Sequence, residues 1–589
     1  MRKIVTVVCL VAEMALAGQE IEGIYEIMRF LGAGTPEEVS DDDFESLSHL
    51  INRQLKLNQC SVAEMVASGL LDRYRAMSFD DYRRRHGYVF SLVELSMIDG
   101  FGEEFTSRIS PFISLDSKAL TDIYLQEDPR LCIDATLRAG VKRQDGYLWM
   151  TGMKSRIQYG DALHVAAAVN SPYGRFKPDA LNYTAGVLLN SKNMHTRFIL
   201  GDFNARFGQG LALRSGLSLS SLSSTSSFMK NPTGLSLPSS FTGNYAFTGV
   251  AAETTIGRYM ISGFMNLPGI KSFKGQFRDM RLMPAVNISR YGRYGHLAIT
   301  HYSDFHAGTY ESASRMSSLD TRWCIRGTDI FAEAAYDWSS GSAAALAGTI
   351  VPAGESLRLA AMLRYYPPSF RSGYAGAMCS VSSPTNEYGV SLSADVAFLN
   401  KHKIAVTLDC VHLPSPKKND RGLSTQAKCL VIWEWMPTER LSVKARISER
   451  YRTWGEAFRT DMRMDVMSEL GKFRINTRVN ALSCSGWGLL SYIEGGYMVS
   501  NLSVWLRQGL FRIDDWDDRI YVYERSAPGA FNVPAYYGRG IWTALMLSAR
   551  ISSELKLYLR ASYTAYPFMP QEKRKPGKAE LELQSVFSF

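Results

Sequence analysis

The sequence predicts a mainly β protein: a large antiparallel transmembrane β-barrel preceded by a small all-α domain. The first observation is the last stretch of chain. Ala579, Leu581, Leu583, Phe587 and Phe589 fall on one face of a period-two strand, with Glu580, Glu582, Gln584 and Ser588 on the other. One face suits hydrocarbon and the other water, over a length that a tilted membrane crossing needs. The second observation is that the pattern recurs. Leu357, Leu359, Ala361 and Leu363 alternate with Arg358, Ala360, Met362 and Arg364, and Leu441, Val443, Ala445 and Ile447 with Ser442, Lys444, Arg446 and Ser448. Phe473, Ile475, Thr477 and Val479 alternate with Arg474, Asn476, Arg478 and Asn480, and Leu555, Leu557, Leu559 and Ala561 with Lys556, Tyr558, Arg560 and Ser562. About 18–22 such strands fit the region from 117 to 589. The third observation is composition. With 30 Tyr and 28 Phe the chain suits strands and interfacial aromatic girdles. No run approaches the ~20 apolar residues of a membrane helix.

In chain order, Arg2-Lys3, an apolar stretch from Ile4 to Leu16 and Ala15-Leu16-Ala17 read as a secretory signal over residues 1–19. Residues 20–54 are acidic, with Glu37, Glu38, Asp41, Asp42, Asp43 and Glu45 clustered, and read as a helical linker. The formal charge of +9 hides an asymmetry: residues 20–118 hold 10 Lys or Arg against 18 Asp or Glu, whereas residues 119–589 carry a net +16. The barrel is the basic part.

Residues 55–116 carry helix punctuation. Ser61-Val62-Ala63-Glu64 and Ser91-Leu92-Val93-Glu94 have the form of capping boxes. Gly87 ends a helix over Phe79–His86, and Asp99-Gly100-Phe101-Gly102 makes a tight turn before a helix that stops at Pro111. Two later stretches break the strand alternation and read as long loops or a plug: the Ser-rich Arg214–Thr242, and Lys271–Arg293, where basic residues interleave with Phe273, Phe277 and Tyr291.

The helical segment resembles the helix-hairpin-helix repeat of ComEA-like competence proteins, through Ser68-Gly69-Leu70-Leu71, Tyr82-Arg83-Arg84-Arg85-His86-Gly87, Leu92-Val93-Glu94-Leu95 and Ile98-Asp99-Gly100-Phe101-Gly102. In the barrel, Leu200-Gly201-Asp202-Phe203, Phe207-Gly208-Gln209-Gly210-Leu211, Ile520-Tyr521-Val522-Tyr523-Glu524 and Tyr536-Tyr537-Gly538-Arg539-Gly540 look like signatures of Bacteroidetes outer-membrane proteins that join such a domain to a barrel. The resemblance implies a barrel in the outer-membrane lipid with its helix-hairpin-helix domain in the periplasm. It implies a component of envelope transport, DNA uptake included, with the helical domain engaging DNA or a protein partner. The alternative is a non-conducting structural subunit of an outer-membrane assembly or secretion complex.

Two residue sets bear on chemistry. Gly69, Gly100 and Gly102, with Arg83, Arg84 and Arg85, form the candidate nucleic-acid contact, because hairpin backbone N–H groups and flanking cations suit phosphates. Tight turns between helices demand the same glycines. The expected lumen cations are Arg358, Arg364, Lys444, Arg446, Arg474, Arg478, Lys556 and Arg560, which either attract anions or pair across strands. In the last hairpin, Arg560 is expected opposite Glu582, a pair worth roughly 0.2–1 kcal/mol. His301, Asp304 and His306 are the one His/Asp grouping, with no GxSxG motif beside them, and the eight Cys show no CxxC spacing. No enzyme activity, cofactor or metal is expected.

Overall fold

The computed structural model describes residues 23–115 and 131–589, except 145, 161, 175–180, 192–194, 217–221, 239, 242–245, 273–279, 307–311, 355, 382, 400, 418–421, 423, 456–457, 500 and 574. The secretory signal over 1–19 lies outside the described residues.

The wall is a closed antiparallel barrel of 24 strands, from Leu131–Arg143 to Lys578–Ser588. These two strands pair to close it, and Ile133 and Phe589 exchange both backbone hydrogen bonds, at 3.0 and 2.9 Å. Twenty-four exceeds the expected 18–22, for a physical reason. Counting by alternation requires a polar lumen face, and part of this lumen face is packed instead. Ser342–Pro352, for example, buries Ala344, Leu346 and Ile350 inward and so loses its period-two signature. Arg281–Tyr291, within the stretch expected as loop or plug, is likewise a barrel strand whose inner face includes Met283 and Ala285.

The outer face is apolar: Leu359, Leu363, Ile447, Leu581 and Leu583 are all exposed. Exposed aromatic residues gather near the two strand ends, Tyr159, Trp323, Phe398, Phe473 and Tyr497 at one and Tyr147, Trp149, Tyr365, Phe458 and Trp487 at the other. The ends also differ in their connections. On the side of Leu131 and Ser588, turns of two to four residues join the strands, whereas the other side carries excursions over 207–246, 367–386 and 514–537. Their described residues fold inward, where Leu211, Phe228, Phe370 and Val522 are buried.

Ahead of the barrel lie helices α1 (residues 23–31), α2 (Asp41–Asn52), α3 (Val62–Ala67), α4 (Arg73–His86), α5 (Leu92–Ser96) and α6 (Gly102–Ile109). Ser61 and Glu64 form the expected capping box on α3, and Ser91 caps α5, while Glu94 reaches back to the N–H of Phe90. Gly87 ends α4 with φ of 87°, and α6 gives way to a 3-10 turn at Ser110–Phe112 containing Pro111. Residues 20–54 depart from the expected linker. Ile27, Met28, Leu47 and Ile51 share one apolar core with Leu57, Leu71, Phe79, Phe105 and Phe112, so the acidic segment and the hairpin segment form a single body.

Candidate functional site

That body sits in the lumen, and charge holds it there. On the 3-10 turn Pro36–Glu38, Glu37 accepts from Arg463 at 2.9 Å, from Arg478 at 2.8 Å and from the backbone N–H of Tyr523 on an inward excursion at 2.9 Å. Burial alone would raise the Glu37 carboxyl, but Arg463 and Arg478 outweigh it and hold the group well below the usual carboxylate range. Glu38 meets Arg446 at 3.1 Å and Ser223 at 2.6 Å. Asp43 meets Arg206 at 3.1 Å, and Glu45 pairs with Lys154. Buried Asp72 caps α4, pairs with Arg75 at 2.8 Å and reaches Arg322 across the lumen. Arg73 donates to Asn287 at 2.6 Å and lies 3.6 Å from Glu253. The acidic segment and the basic barrel are thus two halves of one lock, and the helical body is a plug.

The expected lumen cations occupy this lock or pair within the wall. Arg446 and Arg478 hold the plug. Arg358 pairs with Glu104 of α6, and Arg364 with Glu387 and Asp409, at 2.8 and 2.7 Å. Lys444 meets Glu434 at 2.6 Å and Arg474 meets Glu469 at 3.0 Å, while Lys556 stands on the strand beside the closing one. Arg560 is opposite Glu582 in the register, as the final hairpin predicts. Its energetic setting is stronger than a simple cross-strand pair. Arg560 bonds Glu524 of an inward excursion at 2.8 Å, and Glu582 also takes Arg138 at 3.2 Å and the Tyr173 hydroxyl at 2.9 Å, all with little exposure. Altering Glu582 is therefore expected to cost more than the cross-strand pair alone implies.

The hairpin residues meet unlike surroundings. Gly69, Gly100 and Gly102 have φ of 77°, 89° and 65°, so left-handed turns require them. Gly69 lies against Thr233 of an inward excursion and a Cβ on Gly100 would stand 2.5 Å from the Tyr74 ring, whereas one on Gly102 would meet nothing within 4 Å. Arg83 is bonded to Asp80 and to the carbonyls of Asn58 and Cys60, Arg84 pairs with Asp80 and Arg85 with Asp81. All three arginines are matched on their own body.

A further contact escapes sequence reading. In Phe207-Gly208-Gln209-Gly210-Leu211, two left-handed glycines turn the backbone N–H groups of Gln209, Leu211 and Ala212 onto the Glu333 carboxylate, at 2.7, 3.1 and 3.2 Å. The motif is a socket that fastens an excursion to the wall. The available signal was its glycine spacing, but nothing local names Glu333 as the occupant. Asp304 pairs with Arg281 and accepts from Tyr374, whereas alternation puts His301 on the opposite face, bonded to Ser317. Among the described residues no group of His, Cys, Asp and Glu has the arrangement of a metal site.

A closed wall, apolar outside, aromatic near both rims and charged within, decides the class. The fold is that of an outer-membrane β-barrel. No family model and no curated protein matches it. Among solved structures it is similar to the siderophore receptor PirA from Pseudomonas aeruginosa, with 8% identity, a TM-score of 0.40, and coverage of 78% of this chain and 81% of that one. It is similar to the ferric-catecholate import receptor Fiu from E. coli K12, with 10% identity, a TM-score of 0.38, and coverage of 79% and 82%. It is also similar to OccK3 from Pseudomonas aeruginosa, with 9% identity, a TM-score of 0.30, and coverage of 80% and 99%.

Proposed function

We propose that the protein is a gated transporter of the outer membrane in which the N-terminal helical body is the gate, standing at the periplasmic, short-turn end. The observation that carries this is the lock of Glu37, Glu38, Asp43 and Asp72 onto Arg463, Arg478, Arg446, Arg206 and Arg322. Buried ion pairs set register strongly and add modest net stability, because charges that leave one another are rehydrated. A seat built this way fixes the plug in one position and lets it go as a unit.

For the helical body itself, a protein partner is favoured over DNA. Phe90, Leu92, Val93 and Met97 are exposed together around α5, while Arg83, Arg84 and Arg85 are already paired.

Conductance across a planar bilayer tests the gate. The full chain should conduct little, and Glu37→Lys, which sets a third positive charge beside Arg463 and Arg478, should open a larger, fluctuating conductance with the barrel still folded. Silence from both proteins would favour the alternative, a non-conducting structural subunit.

A further inference from the structure

Between plug and wall lies a cavity of about 480 Å³. Its mouth is at the short-turn rim, where Gly327, Pro352 and Arg358 line it beside half-exposed Glu104, and where a Cβ on Gly102 would meet open space. Its far end is lined by Arg206, the last residue of its strand, and by Arg214 and Lys230 of the first inward excursion.

The charges around it do not balance. Of the lining carboxylates, Asp43 is taken by Arg206, Glu104 by Arg358, Glu38 by Arg446 and Asp329 by Arg322, and Glu103 is exposed. Two of these acids are claimed by arginines that do not line the cavity. Arg214 is left over. Its side chain makes one long hydrogen bond, 3.4 Å to the Asn231 carbonyl, and no carboxylate lies within ion-pair distance of it among the described residues. Lys230, close by, donates to the Gly376 carbonyl. Burial, with Arg206 adding to it, draws Arg214 down to about 10, and burial with Arg214 beside it draws Lys230 down to about 7. Asp43 and Glu333 oppose the Arg214 shift without cancelling it; a cation enclosed with no carboxylate in contact is unfavourable, and an anion placed beside it removes that cost.

We infer that this cavity is a binding site for a small organic anion bearing carboxylate or phosphate groups, seated on Arg214 and Lys230 and admitted past Arg358. Its volume is that of an ordinary small-molecule site. The inference concerns the plugged state and stands whether or not the plug moves.

Calorimetric titration of the full chain in detergent, with citrate and separately with pyrophosphate, tests it. At least one anion should bind one to one with a sub-millimolar constant, citrate reporting a carboxylate site and pyrophosphate a phosphate site. Arg214→Gln should weaken binding about tenfold or more, the change expected for losing one charge-assisted contact in a buried site. Lys230→Gln should weaken it too and serves where Arg214→Gln fails to fold. Arg84→Gln, on the exposed end of α4, should bind as the unaltered protein does. Absence of binding by either anion up to about 10 mM, or equal binding by the Arg214 and Lys230 variants, would overturn the proposal.

Discussion

The lumen has two unlike walls. Along the strands from Thr196–Arg206 to Leu357–Tyr366, inward Phe203, Tyr302, Met316, Phe331 and Tyr366 pack on Leu211, Phe228 and Phe370 from the excursions. Along the strands from Leu441–Arg452 to Leu502–Ile513, the inner face instead carries Arg446, Arg463, Arg478, Glu494 and Arg507 in ion pairs. Apolar packing holds the excursions to their own wall. The plug meets both walls largely through charge, with smaller apolar contacts of Ala63 and Met77 with Met260 and Tyr291 and of Phe44 with Phe531 of an excursion. The difference separates what belongs to the barrel from what is only seated in it. Exposing apolar surface to water is costly wherever it happens, whereas separated ions recover hydration.

The largest expected effect lies on the apolar wall. Phe331→Ala removes a fully buried ring and should cost about 3–5 kcal/mol, lowering the thermal melting of the barrel itself. If Glu37→Gln lowered barrel melting equally, the contrast between the walls would collapse.

A smaller effect is expected at the closing hairpin, where charge belongs to the barrel and not to the plug. Glu582→Gln keeps the shape but weakens bonds from Arg138, Tyr173 and Arg560, for a loss of about 1.5–3 kcal/mol in denaturant unfolding. A change within error would mean that Glu524 and Glu580 satisfy Arg560 by themselves.

The smallest effect is an absence of change over a wide range of pH. Glu37, Glu38 and Asp43 are pulled down by Arg463, Arg446 and Arg206 respectively, against burial that would raise them. A carboxylate depressed in the folded state contributes stability that is complete above its unfolded pKa and is lost as pH falls through the folded one. Protease protection of the plug should therefore stay level from about pH 8 to about pH 5 and fall only under stronger acid. Release at mildly acidic pH would place a different group in control of the seat.

Much of the fold is legible in the residues. Alternation marks the strands and their outer face, the caps at Ser61 and Ser91 mark helix starts, and the last hairpin yields its register down to the Arg560–Glu582 pair. Legibility fails where contacts are distant. The acidic cluster and the basic strands both stand out by composition, but no periodicity joins Glu37 to Arg478 or Gln209 to Glu333. A surplus of acid before a basic barrel is equally compatible with a solvated linker, and local patterning cannot distinguish a helix in water from one in a lumen. The glycines of the hairpins, similarly, declare a left-handed turn without declaring which surface the turn meets.

The closing contact between Ile133 and Phe589 bears on how the molecule comes into being. The helical body precedes the barrel in the chain and has its own apolar core and local caps, so it can condense before its seat exists. Its seat, by contrast, lies up to 486 residues away, on strands and an excursion that come much later in the chain. Contacts of such separation form late in folding. The helical body is therefore early to acquire shape and late to acquire a place, and until the strands that bear Arg446, Arg463 and Arg478 have assembled, Glu37 and Glu38 have no arginines to enter.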